Sequence, residues 1–257
     1  MPESIAVGWD VGGWRGSRQG VAVLAYDGLH RAWVGAPVAF TIEALTRAGG
    51  DLLDLIRIAW AQAPDDLLAR SRVVLAIDAP LGYPLAYQRL VSEREVGTFD
   101  LGPEIENRFA YRDTERHIFA TFGRKPLSAP FDRLGNGATV AQAYALRWAA
   151  AHGIPIVPFS TDTGGHAILE VYPALVKEPR TGVCVPSVAH LLPPDAIPRT
   201  DTYDAAICAI HALAFARNGA DTDLPALCGP ADTMTQHVCE AEGWIYHLPP
   251  AWLRRPA

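Results

Sequence analysis

Cysteine is sparse in this chain, and no two of its four copies (Cys184, Cys208, Cys228, Cys239) form a C-x-x-C pair. That excludes the usual structural zinc spacing and predicts free thiols in a reduced, cytoplasmic protein. No H-E-x-x-H occurs, no Gly-Lys-Ser/Thr follows the early glycines, and Ser17 lies in no G-x-S-x-G elbow. Zincin, Walker-loop and serine-hydrolase chemistry therefore lack their required residues. No apolar run is long enough to cross a bilayer, and no basic leader precedes the first strand, so neither a membrane partner nor a signal peptide is expected. Positive charge is outnumbered: 22 Lys and Arg stand against 28 Asp and Glu, a net charge of −6. This argues against broad, non-specific duplex binding, which rests on many cationic contacts to phosphates. It leaves room for a local basic groove, above all if metal ions neutralise a carboxylate cluster.

Apolar residues make up 49% of the 257 positions, enough for a substantial core. The chain reads as a single α/β domain over 1–257, with a Pro-rich connection or insertion near 177–200. Its organising stretch is Ile5-Ala-Val-Gly-Trp-Asp10, an apolar strand ending on a carboxylate before Gly12-Gly13. Asp10 either opens the turn or stands at the carboxyl end of a central strand, where open α/β sheets bind ligands. Gly20–Tyr26 and a strand within Arg31–Phe40 complete an antiparallel meander. Ile42–Ala63 reads as helix, with Gly49-Gly50 as a break point. Arg72–Asp78 is a continuous apolar run, as in a parallel strand covered on both faces, and it too ends in Asp. A helical crossover would set it parallel to the first strand and bring Asp78 beside Asp10.

Glu104–Phe122 reads as a helix carrying Arg108, Arg112 and Arg116 on one face. With Arg124, Lys125 and Arg133 this is the one basic stretch, either a solvated face or an anion-binding patch. Phe109, Phe119, Phe122 and Phe131 are assigned to the core. Gly137–His152 is read as helix, Ile154–Phe159 as a short strand, and Ala167–Pro173 as a strand with Glu170 among apolar residues. Glu170 faces either solvent or the crevice of the two aspartates. A largely buried helix begins near Asp201; Asp201 and Asp204 share a face. Asp201 suits an N-cap, whereas Asp204 precedes closely packed small residues and needs a metal, an arginine or a solvated cleft as partner. A short helix is expected at Thr233–Glu242. Carboxylates so grouped suit Mg²⁺ or Mn²⁺, and two such ions support phosphodiester hydrolysis.

The order of elements and the acids on them resembles the RNase H-like fold. Asp201-Thr-Tyr-Asp204-Ala-Ala-Ile is similar to the last helix of RuvC-type Holliday-junction resolvases. More closely, the chain resembles an uncharacterised, DUF-type family of predicted nucleases. The matching pieces are Gly8-x-Asp10, Ile77-Asp78-Ala79-Pro80-Leu81-Gly82, Arg112-Asp113-x-x-Arg116, Glu170-Val-Tyr-Pro173, Asp201-x-x-Asp204-Ala and Glu242-Gly243-Trp244-Ile245. The resemblance implies a mixed sheet, an antiparallel three-strand meander plus parallel strands, flanked by helices. It implies a metal-dependent nuclease with Asp10, Asp78, Glu170 and Asp204 as catalytic acids. Asp10, Asp78, Asp201 and Asp204 would hold Mg²⁺ or Mn²⁺, Arg112 and Arg116 would contact phosphate, and nucleic acid would be the partner. Two other readings stay open. One is a nucleotide-binding phosphotransferase of the sugar-kinase and actin-like kind, using Asp10-x-Gly12-Gly13 as a phosphate loop. The other is a non-catalytic binding module on the same fold.

Overall fold

The computed structural model describes residues 2–97, 102–132, 134–160, 165–220, 223–230 and 236–254. Strands β1 (Ser4–Asp10) and β2 (Arg18–Tyr26) form an antiparallel pair, followed by β3 (Arg31–Trp33) and β4 (Val38–Thr41). Helices α1 (Ile42–Ala48), α2 (Leu52–Ala59) and α3 (Leu67–Arg70) lead to β5 (Arg72–Asp78). Next come α4 (Leu85–Ser92), α5 (Asp113–Phe122), α6 (Leu134–His152), β6 (Ile156–Val157) and β7 (Ala167–Val171). The chain closes with α7 (Pro186–Ala189), α8 (Asp201–Arg217), α9 (Gln236–Glu242), β8 (Ile245–Tyr246) and α10 (Pro250–Leu253). The strands make one mixed sheet in the order β3-β2-β1-β5-β7-β6. Two short strands share each outer flank. β4 and β3 pair successive halves of β2, and β6 and β8 pair successive halves of β7.

Side chains alternate across the sheet. Ile5, Val7 and Trp9 of β1 and Val73, Leu75 and Ile77 of β5 face one way, into a core closed by α1, α2 and α6. Ala6 of β1 and Val74 and Ala76 of β5 face the other way, onto α8. Helix α8 lies unusually close, because the strands beneath it offer glycine. A Cβ on Gly8 would run into the carbonyl oxygen of Ala205 and the amide nitrogen of Ala209, and one on Gly20 into the carbonyl of Asp201. Gly8→Ala should therefore displace backbone, not a flexible side chain. We expect a loss of about 3 kcal/mol, the upper end for overpacking, measurable by chemical denaturation.

Several expected elements differ in extent. The helix read over Ile42–Ala63 is split into α1 and α2 by Gly49 and Gly50, whose φ angles of +125° and +73° no helix accommodates. The strand expected within Arg31–Phe40 is two strands. The helix read over Glu104–Phe122 starts at Asp113, after a turn in which Asn107 Oδ1 accepts from the Phe109 amide and the Asn107 carbonyl from Tyr111. Arg108 and Arg112 therefore do not share a helical face with Arg116. Helix α6 starts earlier than Gly137, and the strand read over Ile154–Phe159 is reduced to Ile156–Val157. The Pro-rich stretch near 177–200 holds only the short helix α7, and its Cys184, Val188 and Leu191 are buried in the α8-side core. Phe122 packs against that core, but Phe119 and Phe131 are exposed, against expectation. Arg133 and residues 233–235 of the expected last helix lie outside the described residues. Among the described residues, no helix is long and apolar enough to cross a membrane.

Candidate functional site

Parallel pairing of β1 and β5 sets Asp10 directly opposite Asp78. Both share the parity of the residues that face α8, and neighbouring strands lie about 4.8 Å apart. The first turn of α8 adds Asp204. Its start is fixed by Thr200, whose Oγ1 accepts from the Tyr203 amide at 3.2 Å. The N-cap is thus Thr200, and Asp201 is the first helical residue. Asp10, Asp78 and Asp204 line a cleft of about 290 Å³ at the carboxyl end of the central strands, with Lys177, Tyr172, Pro80, Pro126 and Leu127 in its walls. Asp201 is not part of that lining.

The electrostatics report crowding. Burial raises the Asp10 carboxyl to about 9, with Asp78, Asp204 and Asp201 adding repulsion and Lys177 offsetting part of it. Burial raises Asp78 to about 7, helped by Asp204 and Glu170 and opposed by Lys177. Asp204 is raised too, chiefly by burial, with Lys177 pulling against it. Lys177, which no sequence motif singled out, is the cation of this cluster. Its Nζ lies 2.7 Å from both carboxylate oxygens of Asp204.

The other expected site residues do different work. Glu170 has the parity of Ile168, which faces the α6 side, yet it lines the same cleft as the three aspartates and adds to the repulsion on Asp78. There it meets Arg112. The Arg112 side chain is fully buried and its donors are all engaged. Nε donates to Glu115 Oε1 at 2.8 Å. Nη1 donates to Glu170 Oε2 at 2.8 Å and to the Glu242 carbonyl at 3.1 Å. Nη2 donates to Glu170 Oε1 at 2.6 Å and to Glu115 Oε1. A guanidinium has five N–H bonds, and these contacts use them. Arg112 therefore braces the wall of the cleft and has no donor left for a phosphate. Arg116 is tied to the Tyr111 carbonyl at 2.7 Å and ion-paired with Asp113, outside the cleft lining.

The same bracing accounts for other residues of the resemblance. Glu170 Oε2 accepts the Leu81 amide at 2.9 Å. Glu242 holds the starts of two helices, Oε1 accepting from Leu85 at 2.7 Å and Oε2 from Asp113 at 2.8 Å. A Cβ on Gly82 would strike the Glu242 carbonyl. The Gly12-Gly13 turn is also occupied from within. Gln19 accepts the Gly12 amide at 3.1 Å and donates to the Gly13 carbonyl at 3.0 Å, and Asn136 accepts the Trp14 amide at 3.2 Å. Two of the amides that a phosphate loop would offer are thus already engaged.

Three carboxyl groups beside one ammonium are hard oxygen donors, which fits Mg²⁺ or Mn²⁺ in donor type, and a cation bound there would displace the protons that burial and repulsion hold on Asp10 and Asp78. In the arrangement described, Lys177 holds Asp204, and among the described residues no group of three or more His, Cys, Asp or Glu side chains is set to hold a metal ion. Compared with protein-family models, curated proteins and solved structures, the chain matches none of them.

Proposed function

We propose that the protein is a divalent-metal-dependent phosphodiesterase of RNase H-like fold acting on nucleic acid. The observation that carries this reading is the in-register pair Asp10 and Asp78, faced by Asp204, at the floor of a cleft. Support for the fold comes from the strand order, an antiparallel meander continued by the parallel strands β5 and β7 with α8 across the centre. Asp10, Asp78 and Asp204 would hold Mg²⁺ or Mn²⁺, which supplies an activated water and stabilises the leaving oxygen. The chain's own contribution is to fix three carboxylates on the sheet and on α8 and to offer Lys177 to an anionic substrate. Arg112 and Glu170 position the wall, and catalysis is not assigned to them. The small cleft and the net charge of −6 favour a single flexible strand or a strand end over a gripped duplex.

A second reading, the non-catalytic binding module, is favoured by one observation: Lys177 already neutralises Asp204. Calorimetric titration of Mn²⁺ into wild type and Asp10→Asn decides between them. The nuclease reading expects binding in the wild type that is lost in the variant, followed by Mn²⁺-dependent cleavage of single-stranded DNA, branched DNA or RNA–DNA hybrid. Wild-type protein that binds no Mn²⁺ and cleaves none of these substrates refutes it.

A further inference from the structure

Lys177 is held to the aspartate cluster by its surroundings as well as by its charge. Its backbone carbonyl accepts from Arg124 Nη2 at 2.5 Å, while Arg124 Nη1 donates to the Ala174 carbonyl. Lys177 also bridges to Cys184, whose amide donates to the Tyr203 hydroxyl at 2.9 Å on α8. The backbone is thus pinned, and the unbranched four-carbon stem is the part of Lys177 that can rearrange. At its end, one ammonium takes both oxygens of Asp204 in a pair where each side chain is four-fifths or more enclosed. A hard cation entering this cleft needs carboxylate oxygens, and Lys177 occupies two of them. Arg112 is the other cation in the cleft lining, and its guanidinium is fully engaged.

We propose that Lys177 is a resident counter-ion: a divalent cation displaces its ammonium from Asp204, and the released ammonium then holds a phosphate oxygen of the substrate. This rests on the metal-dependent reading above. Before loading, Lys177 pairs with Asp204 and offsets part of the repulsion felt by Asp10 and Asp78. After loading, the same group supplies the positive charge that the enclosed Arg112 cannot. The exchange makes cation binding and substrate binding cooperative, because the first frees the side chain that serves the second.

The chain contains two lysines, Lys125 and Lys177, which makes the exchange directly readable. Lys125, paired with Glu104 at 2.6 Å and part-exposed, is the internal reference. Acylation by an amine-reactive acetyl ester, read by mass spectrometry, should modify Lys177 more slowly than Lys125 without metal. With saturating Mn²⁺, Lys177 modification should rise about threefold or more while Lys125 stays constant, as an amine leaving an enclosed ion pair becomes free to react. Lys177 modification that stays flat or falls at saturating Mn²⁺ overturns the proposal. In parallel, Lys177→Met and Lys177→Gln should bind Mn²⁺ about tenfold more tightly than wild type by calorimetry, since the competing cation is gone. Using both variants guards against one that fails to fold. Equal or weaker binding in a folded variant, with wild-type binding intact, refutes the exchange alone. Absence of Mn²⁺ binding in all three proteins refutes the metal reading and the exchange with it.

Discussion

Replacing Asp78 by asparagine is expected to remove Mn²⁺-dependent cleavage, by about a thousandfold or more, while making the metal-free protein more stable. The two effects have one cause. Asp78 sits opposite Asp10 in register, near Asp204, where burial and repulsion lift its carboxyl from 3.8 to about 7. A carboxylate that is uncomfortable without a cation is what a cation would engage, and a thousandfold loss corresponds to about 4 kcal/mol of transition-state stabilisation. The stability side follows from proton linkage. The unfolded chain releases these protons near pH 4, whereas the folded protein retains them up to about 7 at Asp78 and about 9 at Asp10. Folded protein thus binds more protons across this window, and its stability falls as pH rises from about 4 through those values. Asp78→Asn should flatten that decline between pH 4 and 7. Thermal unfolding of both proteins from pH 4 to 9 without metal reads the difference. A variant no more stable than wild type at pH 7, or one that still cleaves, contradicts the placement of Asp78 in a charged cluster.

The cluster was legible in the sequence because its geometry follows from local pattern. Two apolar strands ending in Asp, with a helical crossover between them, fix parallel neighbours with matched ends. The run of small residues after Asp204 signals a helix lying close on the sheet, and Gly8 and Gly20 are the matching hollows. The residues of the cleft wall share a different property: their partners are remote in the chain. Arg112 meets Glu170 across 58 positions and the Glu242 carbonyl across 130. No periodicity encodes such contacts, so a buried brace looked like a surface phosphate ligand. Of the two directions open to Glu170, solvent or crevice, it takes the crevice; what its strand's own residues do not specify is the pairing with β5, which gives it the parity opposite to the aspartates and Arg112 as its partner. Lys177 carries no sequence signal of its own, because it follows a short turn at the start of a Pro-rich stretch and belongs to no spaced motif. Only the tertiary structure brings its amine to Asp204, 27 residues later.

Replacing Arg112 by methionine is expected to destabilise the protein by about 3–5 kcal/mol, because it leaves Glu115 and Glu170 buried without their cation. Both carboxylates are enclosed, with side chains at 1% and 4% exposure beside an Arg112 at 1%. For a chain of this size that loss lowers the melting temperature by roughly 6–20 °C. A phosphate-binding arginine predicts the opposite pattern, weaker substrate binding with little change in stability. The charge argument can be carried one step further. Neutralising the acids at the same time, in Arg112→Met with Glu115→Gln and Glu170→Gln, should recover much of the loss, since the cost comes from the abandoned carboxylates and not from the missing arginine. Such recovery would also separate the roles of the two acidic groups in the cleft. The triple variant keeps Asp10, Asp78 and Asp204, so it should retain Mn²⁺ binding within a few-fold of wild type by calorimetry. If it folds yet loses Mn²⁺ binding altogether, Glu170 belongs with the aspartates and the parity of β7 does not divide the site. If it folds and binds, Arg112, Glu115 and Glu170 form a scaffold that holds the cleft open, and the three aspartates with Lys177 are the part that meets the ligand.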